Sequence, residues 1–197
     1  MWAAVFSPDG RTLITSSYAE SRLWDISDTR RPQEIPFPYG DTDAVQPGAF
    51  SPDGHLLATV SAQRTVRLLD MSDPRRPRQL AALPGYRDIV YSAVFSADGR
   101  RLATGDADGT TRLLDISDPA DPQELGVFTG PPDDNVVRVV FSPDGHTVAS
   151  GGTDGVIRFW PTDIDQVVNR VCAVAHPSIT ESQWEQYLPG VPYHALC

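Results

Sequence analysis

Short apolar segments alternate with tight polar turns along most of this chain. In Val90–Phe95, both alternating faces carry apolar or small side chains, as expected of a strand buried between neighbouring sheets. Ser96–Gly99 then predicts a tight turn, and Ala107–Gly109 contains Asp-Gly, a strong hairpin signal. The pattern predicts four antiparallel strands in this part of the chain, over Val90–Phe95, Arg101–Thr104, Thr111–Asp115 and Gln123–Phe128.

The same sequence unit occurs four times in the chain. Each copy begins with Phe-Ser-x-Asp-Gly, at Phe6–Gly10, Phe50–Gly54, Phe95–Gly99 and Phe141–Gly145. A second motif ends the third predicted strand of each copy, at Arg22–Asp25, Arg67–Asp70, Arg112–Asp115 and Arg158–Pro161. The spacing of about 45 residues indicates one supersecondary unit stacked on copies of itself. We therefore predict an all-β fold of four units, with four strands in each of the first three and three in the last.

Units of this length, with an aromatic residue near the end of the third strand, resemble WD40 repeats. The resemblance covers residues 1–161 and implies blades of a β-propeller, in a partial or open arc, at about 1–40, 41–85, 86–130 and 131–161. The Trp-Asp motif is degenerate, because it reads Trp24-Asp25, Leu69-Asp70, Leu114-Asp115 and Trp160-Pro161.

The resemblance also implies a buried network that braces each blade, built from a Trp, a strand hydroxyl, a turn Asp and a His. Asp108 and Asp154 match the turn Asp, whereas Gln63 replaces it in the second copy. Tyr86 stands at the position of the His before the third blade. No copy keeps the whole network, so we expect packing and backbone pairing to contribute more of the stability.

An arginine recurs at one position of the third strand in every copy, as Arg22, Arg67, Arg112 and Arg158. Four equivalent arginines suggest either a charged ring or ion pairs with carboxylates between blades. We expect the ion pairs.

Residues 162–197 lose the blade pattern and are expected to form a helical C-terminal tail. Apolar residues from Ile164 to Ala175 recur at helical spacing, and Thr180 with Gln183 makes a capping box for a second helix. The tail resembles the ending of bacterial proteins that join a signalling NTPase or a DNA-binding module to WD40 repeats. That resemblance implies an activity located upstream, while the simpler expectation is that the helices cap the last blade.

Both cysteines of the chain, Cys172 and Cys197, lie in this tail. The similar tails share two cysteines, which favours a disulfide, but two unlinked thiols are an equal alternative because cytosolic thiols usually stay reduced. Together with His176 and His194 the cysteines offer four ligands for tetrahedral zinc, at an unusual spacing. Asp133–Asn135 lacks the full ligand spacing of a calcium loop. We therefore expect no metal and no cofactor.

The chain carries a net charge of −10 and has a pI near 4.7. This balance argues against nucleic acid as a partner, because such binding requires many Lys and Arg side chains to neutralise phosphates. No apolar run approaches the roughly 20 residues of a membrane helix, so we expect no membrane partner and a cytoplasmic protein. The commonest nucleotide-binding, zinc-peptidase and esterase motifs are absent from the sequence, which favours a non-enzymatic role.

The two ends of the array bear on how the blades are completed. The sequence begins directly in an innermost strand, Met1–Phe6. Fifteen strands also leave one blade a strand short, so they do not complete a closed propeller of four-stranded blades. An unclosed array exposes two apolar blade faces. We therefore expect the C-terminal portion of a longer propeller, and the alternative is a four-bladed ring or self-association of two chains through the open faces.

Propellers of this family are mostly rigid platforms for protein or peptide partners, which contact loops at one end of the blades. The predicted partner-binding residues at that end are Tyr18, Glu20, Gln63, Arg64, Tyr86, Arg87, Asp88, Asp106, Asp133, Asp134 and Asn135. Tyr86-Arg87 is the predicted anchor, since Tyr and Arg are favoured hot-spot residues. We thus expect an interaction scaffold in a bacterial signalling or regulatory protein. The alternatives are a truncated remnant that needs a longer propeller to fold, and the accessory propeller of a hydrolase.

Overall fold

The structure is a computed structural model in which residues 3–16, 21–38, 45–61, 64–131 and 135–163 are described. Within these residues, fifteen strands form four antiparallel sheets, which we call blades 1 to 4 in chain order. Blades 1 to 3 have four strands each and blade 4 has three, as the repeat predicts. In every blade the strands are hydrogen-bonded in the order in which they occur in the chain, so each blade is a meander.

The strand bounds follow the repeat. Blade 1 contains β1 (Ala3–Phe6), β2 (Thr12–Ser16), β3 (Ser21–Asp25) and β4 (Gln33–Ile35). Blade 2 contains β5 (Val45–Phe50), β6 (Leu56–Ser61), β7 (Thr65–Asp70) and β8 (Arg78–Leu83). Blade 3 contains β9 (Val90–Phe95), β10 (Arg101–Asp106), β11 (Thr110–Asp115) and β12 (Gln123–Thr129). Blade 4 contains β13 (Val136–Phe141), β14 (Thr147–Gly152) and β15 (Ile157–Pro161). The four predicted strands of blade 3 are confirmed, with three differences in their bounds. β10 continues two residues further, to Asp106, while β11 begins one residue earlier, at Thr110, and β12 ends one residue later, at Thr129.

The Phe-Ser-x-Asp-Gly motif forms the turn between the first two strands of every blade. In blade 3 the Ser96 hydroxyl donates to Asp98 Oδ1 over 2.5 Å, and Asp98 Oδ1 also accepts the N–H of Arg100 over 3.0 Å. Ser96 Oγ accepts the N–H of Arg101 over 3.0 Å. Gly99 has a φ of 71°, a left-handed conformation that glycine adopts without the clash a Cβ would cause. The other three turns repeat these contacts, so the motif carries its own hydrogen-bond partners.

The blades stack in sequence order through their two faces. We call the face toward the blade before it in the chain the preceding face, and the opposite one the following face. Ile14 and Leu23, on the following face of blade 1, form one cluster with Leu57 and Leu69 on the preceding face of blade 2. All four side chains are fully buried, and burying a side chain of this size stabilises the fold by about 1.5–3 kcal/mol.

The same arrangement recurs at the other two contacts between blades. Blades 2 and 3 share a cluster of Ala58, Val60, Val66, Leu68, Tyr86, Val90, Ala93, Leu102, Leu114 and Ile116. Blades 3 and 4 share a cluster of Ala103, Leu113, Val136, Val139 and Val148. The buried core therefore consists of layers between blades, and each blade depends on its neighbours for stability.

The chain divides into two compact units, Met1–Trp160 and Pro161–Cys197. Residues 164–197 lie outside the described residues. The predicted tail helices, the Cys172–Cys197 disulfide and its alternatives therefore stay predictions.

Candidate functional site

Each blade has two ends at which a partner can reach its connections. The Phe-Ser-x-Asp-Gly turns and the links from third to fourth strand lie at one end, which we call the hairpin end. The turns from second to third strand and the links to the next blade lie at the other end, which we call the loop end. Successive connections of an antiparallel meander fall at opposite ends because each strand reverses direction. The described members of the predicted partner-binding set belong to the loop end.

The predicted partner-binding residues differ in exposure. Those outside the described residues are Tyr18, Glu20, Gln63, Asp133 and Asp134. Arg64 and Arg87 are exposed, while Asp88 is half-buried and its Oδ1 accepts the N–H of the next residue over 2.7 Å. Asn135 is tied to Thr153, since its N–H donates to Thr153 Oγ1 over 3.2 Å and its carbonyl accepts the Thr153 N–H over 3.1 Å. Arg64 and Arg87 are therefore the described members with freely accessible side chains.

Tyr86 is buried, so the expectation that it is an exposed loop residue is wrong. Its side chain is 6% exposed and belongs to the cluster between blades 2 and 3. The Tyr86 hydroxyl lies 3.1 Å from Thr104 Oγ1, and the Arg112 guanidinium lies 4.4 Å from the centre of the Tyr86 ring. Burial raises the pKa of Tyr86 to about 12, so the phenol keeps its proton at neutral pH. Tyr86 is thus positioned to support the loop end from within.

Tyr86 takes the place of the tryptophan that braces other blades. In blades 1 and 4 an indole N–H donates to a strand hydroxyl, from Trp24 to Thr15 over 3.0 Å and from Trp160 to Ser150 over 2.8 Å. Thr104 is the equivalent hydroxyl of blade 3, but Leu114 stands at the tryptophan position there. The Tyr86 hydroxyl pairs with Thr104 instead. The expected network is therefore kept in part, with a different aromatic residue in blade 3.

Asp106 ends β10 and is fully buried, so the expectation that it is exposed in a loop is also wrong. The N–H of Thr110 donates to Asp106 Oδ1 and to Asp108 Oδ1, each over 3.1 Å, and the Thr110 hydroxyl lies 2.8 Å from Asp106 Oδ2. Burial, and next the hydrogen bond with Asp108, raise the pKa of Asp106 to about 7. Burial also raises the pKa of Asp108, but its hydrogen bonds with Asp106 and Thr110 outweigh burial and bring it below the ordinary value. The two carboxyl groups thus close the β10–β11 turn.

Three of the recurring arginines pair with carboxylates of their own blade, whereas we expected pairs between blades. Their partners are Glu34 for Arg22 at 3.8 Å, Glu124 for Arg112 at 3.2 Å, and Asp154 for Arg158. Arg112 Nη2 also donates to the carbonyl of Gly85 over 2.7 Å. This bond ties β11 to the link that carries Tyr86 and Arg87.

A groove of about 430 Å³ lies at the hairpin end between blades 1 and 2. This groove was not predicted from the sequence. Its lining includes Phe50, Asp53, His55 and Met71. The Asp25–Arg75 ion pair, with Nε 3.0 Å from Oδ2, joins the two blades there. A hydrogen bond from Ser51, and then one from the backbone, lower the pKa of Asp53, so its carboxylate is ionised at neutral pH. The sequence carries no signal for this groove, because only the stacking of the blades brings residues fifty positions apart into contact.

A family model described as WD domain, G-beta repeat matches residues 44–70, 77–115 and 122–161, more than half of the chain. The chain belongs to the WD40 family. Each of the last two matches begins with the outermost strand of one blade and continues through the first three strands of the next. A WD40 sequence repeat in this chain therefore joins two blades. Blade 1 lies before the matched stretches and has the same four-stranded order. No curated protein matches the chain.

Two further findings concern the described part of this WD40 chain alone. No three His, Cys, Asp or Glu side chains within it lie close enough together to hold a metal ion. It also contains no helix with the length and apolar character needed to cross a membrane.

Proposed function

We propose that this WD40 chain is a non-enzymatic scaffold that binds protein or peptide partners at the loop end of its blades. WD40 domains generally mediate protein–protein interactions, and four stacked blades supply the rigid support that such binding needs. The observation that carries the proposal is the contrast between the strands and the loop end. The strands repeat one design in every blade, whereas the loop end differs from blade to blade.

The loop end combines buried supports with exposed contacts. Tyr86 is a support, because its ring fills the core and its hydroxyl pairs with a buried strand hydroxyl. Arg112 holds the carbonyl of Gly85, so the link that leads to Arg87 is fastened at its base. Arg87 and Arg64 are exposed, and arginine is a favoured residue at binding hot spots. We assign these two side chains as the principal partner contacts.

We place the chain in the cytoplasm, in a bacterial multidomain signalling or regulatory protein. The resemblance of the 162–197 ending to the tails of such proteins supports this setting. The net charge of −10 disfavours nucleic acid and leaves proteins and peptides as the partner class.

Selection of a displayed random-peptide library against the purified chain tests the scaffold role. We expect enriched peptides whose binding weakens at least tenfold on Arg87→Glu or Arg64→Glu, since hot-spot losses reach about 2 kcal/mol. Arg100→Glu is the matched control, because Arg100 is an exposed arginine at the hairpin end and its replacement should leave binding unchanged. Binding that weakens on Arg100→Glu and not on Arg87→Glu or Arg64→Glu would place the site at the hairpin end and refute the proposed location. Failure to enrich any peptide would refute the peptide-binding role.

A further inference from the structure

Within the part of the chain that the structure describes, the terminal blades each have an apolar face that no other blade covers. On blade 4, Ile157 and Phe159 of β15 are 66% and 69% exposed. Trp160 stacks on Phe128 of blade 3, with ring centres 5.2 Å apart, so the side chain of the preceding residue points away from blade 3. On blade 1, Phe6 is 61% exposed. The open faces are therefore the following face of blade 4 and the preceding face of blade 1.

The same repeat positions are buried wherever a neighbouring blade is present. The residues equivalent to Phe159 are at most 3% exposed and are Leu23, Leu68 and Leu113 in blades 1, 2 and 3. The residue equivalent to Phe6 in blade 2 is Phe50, which is 9% exposed and packs in the cluster with blade 1. The terminal faces thus carry the residue types that a neighbouring blade covers elsewhere in the described part of the chain.

A glycine shapes the following face of blade 3 to receive blade 4. A Cβ on Gly105 in blade 3 would lie 2.4 Å from Val136 Cγ1 and 3.0 Å from Val139 Cγ1, so this glycine makes room for blade 4. Gly151 is the equivalent residue of blade 4, and no described residue lies within 4 Å of the position its Cβ would take. The open face of blade 4 therefore keeps the hollow that a blade fills at the contact between blades 3 and 4.

We propose that the open face of blade 4 binds the open face of blade 1 in a second copy of this chain. Blade 1 offers Phe6 and Leu13 at the positions where blade 2 places Phe50 and Leu57 against its own neighbour. Blade 4 of each chain meets blade 1 of the other, so the two contacts are related by two-fold symmetry. Two copies joined twice in this way form a closed ring of eight blades, within the range of known propellers. The pairing uses blade faces, so its success or failure is separate from that of peptide binding at the loop end.

Light scattering on the full chain at several concentrations tests the proposal. We expect a mass near twice the 21.5 kDa of one chain. Phe159→Glu and Phe6→Glu should each raise the dissociation constant about thirtyfold or more, because each places a charge in a contact that excludes water. Val127→Glu is the matched control, since Val127 is 44% exposed on blade 3 and lies on neither open face. The assembly formed by this variant should have the same mass in solution as that of the unaltered chain. Circular dichroism should show the same β-sheet signal in all variants.

Mixing two variants tests whether blade 4 of one chain pairs with blade 1 of the other. Chains with Phe6→Lys and chains with Phe159→Glu should associate with each other, because one contact stays intact and the other pairs Lys with Glu. If Phe159→Glu fails to fold, Ile157→Glu alters the same face and replaces it. A single-chain mass for the unaltered protein at every concentration would overturn the proposal, as would association that neither substitution weakens. Masses that keep growing beyond two chains would overturn the closed ring.

Discussion

Replacing Tyr86 with Phe tests whether this residue supports the loop end from within. The substitution keeps the aromatic ring, which is buried between blades 2 and 3 and faces the Arg112 guanidinium 4.4 Å away. It removes the hydroxyl that lies 3.1 Å from Thr104 Oγ1. Since Thr104 is fully buried, no solvent replaces the lost partner.

The expected magnitude follows from that single hydrogen bond. Leaving one buried partner without its hydrogen bond costs about 1–3 kcal/mol, so Tyr86→Phe should lower the free energy of unfolding by about 1–2 kcal/mol. Tyr86→Ala also leaves a cavity and should cost about 3–5 kcal/mol. An exposed anchor would behave differently, because surface substitutions usually stay within about 0.5 kcal/mol.

Urea unfolding followed by circular dichroism measures these differences. A double-mutant cycle with Thr104→Val isolates the hydrogen bond, and we expect a coupling of about 1 kcal/mol between the two positions. Arg87→Ala is the control for an exposed neighbour and should leave stability within about 0.5 kcal/mol. Equal stability of Tyr86→Phe and the unaltered chain, or additive effects in the cycle, would refute the reasoning.

Three further predictions concern the blades themselves. Gly105→Ala should lower the free energy of unfolding by about 1–3 kcal/mol, because its Cβ would lie 2.4 Å from Val136 Cγ1. Gly126→Ala is the control, since no described residue lies within 4 Å of the position its Cβ would take, and urea unfolding compares the two variants. Asp106 has a pKa of about 7 in the folded chain and of 3.8 in the unfolded chain. The protonated carboxyl group therefore stabilises the folded chain fully below about pH 4, and this stabilisation is lost as the pH rises from about 4 to 7. Asp106→Asn should remove that slope, at most about 1.4 kcal/mol per pH unit, in unfolding measured across this range. Ser96→Ala should cost about 1–2 kcal/mol by thermal unfolding, because it breaks the turn contacts to Asp98 and Arg101. Thr29→Ala, at an exposed position of the link between β3 and β4, is the control.

Each of these predictions has a result that would count against it. Similar losses for Gly105→Ala and Gly126→Ala would mean that the contact with Val136 is not the cause. A pH slope that survives Asp106→Asn would mean that another group holds the proton. A loss for Thr29→Ala as large as that for Ser96→Ala would mean that the turn hydrogen bonds are not the cause.

The sequence by itself determined the strands, the turns and the number of units. In the blade 3 turn, Ser96, Asp98 and Gly99 supply one another's partners within five positions, so the hairpin follows from a short segment. The spacing of that segment then determined how many blades the chain contains, because equivalent turns require equivalent strands around them. The exposure of Arg87 was also predictable, since it lies in a polar link between strands.

Only the tertiary structure decided which side chains are covered. Tyr86 lies in a link and reads as a loop residue, but its hydroxyl meets Thr104 eighteen positions later, inside the contact between two blades. One repeat position is buried as Leu113 and exposed as Phe159, although both are large and apolar. The groove beside the Asp25–Arg75 pair likewise exists only where two blades meet. The physical reason is that turn and strand preferences arise from hydrogen bonds and sterics within a few residues, whereas burial depends on which distant segment packs against a face.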